Sequence, residues 1–292
     1  LRLWVAQSDY QNDQRISENI LKQVGDNYRK IRNTIRFLLA NVESLEFLEV
    51  EHFSQIDLWI LKCAKKCFES VNQLFLNYEF SKGLQELNYF LNVELSGIYL
   101  DLCKDNLYCN ALNSKERKAA QSVMALICGR LFGVLAPILT YTINEALSHT
   151  QSKALLESCG IANVASYDVL DLFYQPLPGF ETPSVDFEML LELRSSFLEQ
   201  IDALKKESKI KSTLEVDLGI PTSMEGFKEL NLWLMVSAIK KNNAENALAT
   251  FTFNGENYAI YKASGHKCPR CWQFISEANE QPCARCAEVL GI

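Results

Sequence analysis

Three features of the 292-residue sequence predict a mainly α protein: an antiparallel helix bundle, then a small α/β subdomain, then a compact four-cysteine module. Apolar residues step by threes and fours through four long segments of the first half. A cluster of Pro and Gly around residue 176 breaks that pattern, and alternating strand-like runs come after it. The last 25 residues hold two C-x2-C pairs separated by eleven residues.

The first helix is predicted over residues 17–41. Ile16, Ile20, Val24, Tyr28, Ile31, Ile35 and Leu38 lie at helical spacing, and Ser17 stands where an N-cap hydroxyl is wanted. Ile56, Trp59, Ile60, Cys63, Cys67, Leu74 and Phe75 mark a second. Ser81 opens a third through Leu84, Leu87, Leu91 and Leu95. Beyond the segment 101–113, Ser114 caps a fourth containing Ala119, Val123, Leu126, Cys128, Leu131 and Leu135, which Pro137 kinks or restarts. Four long helices joined by short connections make an antiparallel bundle.

Pro176, Pro178, Gly179 and Pro183 mark a linker. A further helix is expected from about 184 to 209, with Lys205, Lys206, Lys209 and Lys211 at the end that favours positive charge. Leu214 to Leu218, Leu232 to Val236, Thr250 to Phe253 and Tyr258 to Lys262 read as strands. The division expected is therefore 1–175 for the bundle, 176–264 for the linker, helix and α/β part, and 265–292 for the cysteine module.

Cys268, Cys271, Cys283 and Cys286 form a C-x2-C-x11-C-x2-C array. Two intervening residues let both sulfurs of a pair turn inward from one tight knuckle, and the spacer brings the second pair back to close a tetrahedron. This predicts one structural zinc, because protein fills all four positions and none stays open for substrate. Two disulfides, or a redox C-x-x-C with Pro269 in its first pair, are the alternatives. The other six cysteines, Cys63, Cys67, Cys103, Cys109, Cys128 and Cys159, are scattered through apolar patterns and read as core thiols.

No run of eighteen apolar residues occurs, and no basic-then-apolar leader precedes the first helix, so no membrane partner, membrane span or signal peptide is expected and the compartment is expected to be the cytoplasm. The sequence begins at Leu1 rather than Met and has the look of a piece of a longer chain. Net charge is −7, yet residues 1–36 hold seven basic against four acidic side chains and residues 157–202 hold nine acidic against one basic. A polyanion would be steered to the first helix and away from the middle of the chain. The plain alternative is that these charges solvate helix faces.

The opening LRLWVAQSDYQNDQRIS with YRKIRNTIRFLL resembles the start of the anticodon-binding bundle of bacterial isoleucyl-tRNA synthetases, which are class I enzymes. FLNYEFSKGLQELNYFL, IYLDLCKDNLYC and LFGVLAPILTYT resemble the helices that follow it. KKESKIKSTLEVDL resembles the family's lysine-containing helix end and next strand, and CPRCW with CARC resembles its C-terminal zinc module. The resemblance covers essentially the whole chain, in order. It implies a class I anticodon-binding bundle that binds isoleucine tRNA, on a monomeric ATP-dependent ligase whose catalytic and editing domains lie upstream.

Neither a HIGH-type signature nor a KMSKS-type loop occurs, and no Gly-rich phosphate cradle follows a strand. His52, His149 and His266 form no catalytic arrangement with Ser or Cys and read as surface or cap residues. No catalytic residue is therefore expected in this chain, and ATP and Mg2+ are implied for the full-length enzyme only.

Three residues are candidate tRNA contacts. Trp272 and Arg270 on the cysteine knuckle offer a ring and a guanidinium plane of the kind on which loop bases stack, although Trp272 could instead plug the base of the module. Arg15 falls in a stretch matching the family's DVRIS-like motif, where Gln14 replaces a valine-like residue. A salt bridge from Arg15 to Asp13 or Glu18 is its structural alternative. Arg29, Lys30, Arg32, Asn33 and Arg36 form a polar stripe suited to phosphates. A zinc-stapled helical module that binds protein partners and no RNA is the second functional reading, and salt sensitivity of binding separates the two.

Overall fold

A computed structural model describes residues 1–161, 168–181, 185–243 and 245–292. The chain is mostly helical, with a small sheet and a cysteine cluster. Its contacts divide it into two compact units: Leu1–Leu107 with Leu112–Pro183, and Tyr108–Ala111 with Ser184–Ile292.

In the first unit, α1 (Arg2–Gln7) precedes α2 (Glu18–Val42). Ser17 caps α2 as expected, its hydroxyl accepting from the Ile20 N–H at 3.3 Å. Ile31, Thr34, Ile35, Leu38 and Val42 form the buried stripe of α2, while Arg29, Lys30, Arg32, Asn33 and Arg36 stay exposed. Helix α3 (Gln55–Leu76) opens on a capping box in which the Ser54 hydroxyl takes the Asp57 N–H and the Asp57 carboxylate takes the Ser54 N–H.

The third predicted helix departs from the periodicity reading. It starts at Phe80, and Ser81 is no cap, since its hydroxyl donates to the Gln7 carbonyl at 2.9 Å. After α4 (Phe80–Tyr89) the backbone widens into a π-helical segment, Phe90–Tyr99, before α5 (Leu100–Leu102). At the end of that segment the buried Tyr99 hydroxyl donates to Asp57 Oδ1 at 2.7 Å, tying the wide turns to the start of α3.

Past α6 (Lys104–Cys109), α7 (Lys115–Leu135) is capped by Ser114 and buried at every position from Ala119 to Leu135. It packs against α2, α3 and α9. Length and composition would let α7 cross a membrane, but its apolar window is 94% buried inside the protein, as suits a core helix. The helix ends before Pro137, and α8 (Thr140–Ser148) and α9 (Lys153–Ser158) follow. Buried Arg130 of α7 donates to the carbonyls of Ser158 and Pro176, both at 2.8 Å, which fixes the linker onto this unit. Pro183 and Ser184, expected in the linker and at the next helix start, lie outside the described residues.

In the second unit, α10 (Phe187–Lys206) is capped by Asp186 and ends on Lys205 and Lys206. Strands β1 (Val216–Ile220), β2 (Ala238–Lys241), β3 (Ala249–Phe253) and β4 (Glu256–Lys262) form a sheet in the order β2-β1-β4-β3, with β1 parallel to β2 and the other pairs antiparallel. The run Leu232–Val236, expected as a strand, is instead the end of a one-turn helix, α11 (Leu230–Leu234), bounded by left-handed Glu229 and Met235. Packing of Trp233 and Leu234 into the core decides it. A two-stranded ribbon, β5 (His266–Lys267) with β6 (Phe274–Ser276), and α12 (Ala284–Leu290) complete the unit.

Candidate metal centre and nucleic-acid interface

The β5–β6 ribbon carries the first cysteine pair, and the second pair frames the start of α12, with Cys283 as its N-cap residue. Gly265 lets the ribbon close, since a Cβ there would stand 2.5 Å from the Phe274 carbonyl oxygen. Cys268, Cys271, Cys283 and Cys286 are all buried, and their sulfurs lie within 4.8 Å of one another. None is in a disulfide, so neither a disulfide pair nor an oxidised C-x-x-C is present.

Four sulfurs placed tetrahedrally at the usual zinc–thiolate length stand about 3.8 Å apart. Cys271 and Cys283 meet that spacing, with 3.8 Å between their sulfurs. Backbone N–H groups point inward as they do around bound thiolates. Burial alone would push the Cys268 thiol up, but the N–H groups of Cys271, Cys283 and Arg270 outweigh it and bring the thiol down to about 6. Burial pushes Cys271 and Cys286 the other way. A cation among these sulfurs would favour all four as thiolates, so the cluster could hold a metal ion.

Trp272 follows the second ligand position with its backbone in the left-handed region, φ 65°, and its N–H on the Cys268 carbonyl at 3.0 Å. Its ring is 62% exposed and therefore plugs nothing. The Lys267 ammonium stands 5.6 Å from the ring centroid. Arg270, expected to offer its guanidinium outward, is half-buried and donates to the backbone carbonyls of Cys109 and, at 3.3 Å, Tyr108. Those partners sit about 160 residues away along the chain, beyond the reach of any local pattern.

Within the first unit, Arg15 is exposed, and among the described residues no ion pair joins it to Asp13 or Glu18. On α2, Arg29 pairs with Asp26, and Arg32 reaches Glu145 of α8 at 3.2 Å. Arg32 and Arg36 line a groove of about 400 Å³ between α2 and α8, together with Ile35, Leu39, Ala146 and His149. All three histidines are exposed.

The sequence matches the family model described as the anticodon-binding domain of tRNA ligase across residues 57–220. The chain belongs to this anticodon-binding family of tRNA ligases. Over its whole length it is 52% identical to the isoleucine–tRNA ligase of Wolinella succinogenes, of which it covers 31%. It is 46% identical to the isoleucine–tRNA ligase of a Sulfurovum species across all of this chain and 31% of that protein. Against the isoleucine–tRNA ligase of Campylobacter jejuni the identity is 48%, across 99% of this chain and 30% of that protein. The chain thus spans just under a third of the length of the curated relatives it matches. The family match runs from near the start of α3 through β1 and leaves out α1 and α2, whereas the relatives' similarity covers those helices and the cysteine module as well.

Proposed function

We propose that the chain is the anticodon-reading C-terminal part of an isoleucine–tRNA ligase, holding one structural zinc through Cys268, Cys271, Cys283 and Cys286 and binding the anticodon loop of isoleucine tRNA. Its first unit is read as the antiparallel bundle of the class I anticodon-binding type, in the division 1–175, 176–264 and 265–292. ATP and Mg2+ act in the catalytic part of the same polypeptide, upstream, and the enzyme works as a cytoplasmic monomer.

The observation that carries this reading is the exposed Trp272 ring beside a closed four-thiol cluster, in a chain of the anticodon-binding family. A ring on a metal-fixed knuckle needs little ordering before a splayed base stacks on it, and such a stack is worth about 1–3 kcal/mol. Lys267, close to the ring, adds positive charge next to the base. Arg270 serves this face by holding the knuckle in place, because its guanidinium is engaged by backbone carbonyls. Arg15 and the exposed cations of α2 supply phosphate contacts along the first unit. A protein-binding module without RNA has no observation in its favour.

Filter binding of isoleucine tRNA, and of the same tRNA with a changed anticodon, at two salt concentrations tests the proposal. Trp272→Ala should weaken binding of the matched tRNA by about 1–3 kcal/mol with zinc content unchanged. Affinity that is insensitive to both salt and anticodon would refute RNA reading by this chain.

A further inference from the structure

A fifth cysteine is packed with the four candidate ligands. Cys109 is buried in one cluster with Cys268, Cys271, Cys283 and Cys286, although it is contributed by the Tyr108–Ala111 segment. It stands outside the ligand set, since the group of sulfurs within 4.8 Å of one another comprises the other four. Its Sγ reaches the Arg270 carbonyl oxygen at 3.9 Å instead.

Arg270 returns the contact. One arm of its guanidinium donates to the Cys109 carbonyl and the other to the Tyr108 carbonyl, and the same guanidinium is among the groups that favour the Cys286 thiolate. A single planar cation on the residue before Cys271 therefore joins the cysteine cluster to two carbonyls of a segment far away in sequence. Four thiolates around a divalent ion leave a net charge of about −2 at the centre. A guanidinium held beside one of those sulfurs offsets part of that charge, and its rigid fork suits paired acceptors in a way an ammonium does not. Outer partners of this kind orient ligands and change metal affinity by about 10–100-fold.

We propose that Arg270 is a positioning residue that links occupancy of the metal site to the placement of the Tyr108–Ala111 segment. With metal bound, the charge at Cys286 holds the guanidinium, and the guanidinium holds the carbonyls of Tyr108 and Cys109, which keeps the Cys109 thiol buried. Without metal the anchor at Cys286 weakens and the segment is released. The inference rests on the four-thiol metal reading, and it makes no use of RNA binding.

The test uses the zinc-loaded 292-residue chain, its Arg270→Lys and Arg270→Met variants, and two readouts: the rate of zinc transfer to a chromogenic chelator, and alkylation of Cys109 by iodoacetamide mapped by peptide mass. Cys128, fully buried in α7, is the internal control. Arg270→Met should lose zinc about tenfold faster or more and expose Cys109 while Cys128 stays protected, with Arg270→Lys falling between it and the parent. Stripping zinc from the parent should expose Cys109 in the same way, and this arm decides the matter if the variants do not fold. Zinc loss at the parental rate in Arg270→Met, or a Cys109 that stays protected after zinc is stripped from the parent, would overturn the proposal. A parent chain that takes up no zinc would remove the metal reading itself, a result distinct from either of those.

Discussion

Tyr99→Phe deletes one oxygen from the core and leaves the ring where it is. The Tyr99 hydroxyl closes the π-helical segment onto Asp57 Oδ1 at 2.7 Å, and Asp57 is itself only 3% exposed. The other carboxylate oxygen accepts from the Ser54 N–H at 3.0 Å and the Ser54 hydroxyl at 2.7 Å. Burial pushes the Asp57 carboxyl above its ordinary value, and the bonds from Tyr99 and Ser54 pull it partly back. A carboxyl raised in the folded state favours folding below its unfolded pKa, and that contribution disappears as pH rises through the folded value. The Tyr99 bond works against this loss because it stabilises the ionised form. A hydrogen bond to a buried charge contributes about 1.5–3 kcal/mol, so Tyr99→Phe should destabilise the chain by about 2 kcal/mol at a pH above the raised folded pKa and by clearly less at one below it. Urea denaturation followed by circular dichroism at both pH values measures the difference. An equal cost at the two pH values, or one under about 0.5 kcal/mol at both, would refute the account of Asp57 as a buried carboxyl solvated by these three donors.

Metal analysis of Cys283→Ser should show zinc lost and the last 30 or so residues disordered, as expected when one of four ligands goes, with the helical signal of the first unit retained; equal zinc in mutant and parent would remove Cys283 from the ligand set. Isoleucine-dependent pyrophosphate exchange by the 292-residue chain is expected to be nil, because neither nucleotide signature is in the sequence, and activity that survives removal of contaminating host enzyme would contradict the division of labour proposed. Arg15→Ala should lower the slope of log affinity against log salt by about one if Arg15 meets a phosphate, and an unchanged slope would leave it a solvating charge.

Much of this was readable in the sequence because the relevant physics is local. Ser17 and Ser114 cap helices as their positions suggest, since a cap is satisfied within three residues. The cysteine spacing forecasts the cluster because each C-x2-C pair is a single turn of chain. Non-local packing hid the rest. The apolar run around Trp233 suits a strand or a buried helical turn equally, and the core settled it. Strand β2 is short, with Lys240 and Lys241 exposed, so it shows no clean alternation. In Phe90–Tyr99 each wide turn takes up an extra residue, which a three-and-four stepping pattern cannot register. Cys63 is half-buried rather than core, and its thiol is pushed up to about 12 by burial first and then by Glu94, a neighbour from that same π-helical segment.

The left-handed backbone at Trp272 gives ring and main chain opposing interests. At φ 65° an L-residue is disfavoured by about 1–2 kcal/mol, a cost glycine escapes. Trp272→Gly should therefore relax the knuckle and tighten its hold on metal while abolishing the stacking surface, so that metal retention and RNA affinity move in opposite directions. Trp272→Ala keeps the strained backbone and should move affinity alone. On the proposed reading, a bulky aromatic set where the main chain would prefer no side chain at all is a recognition element held at the expense of the module that carries it.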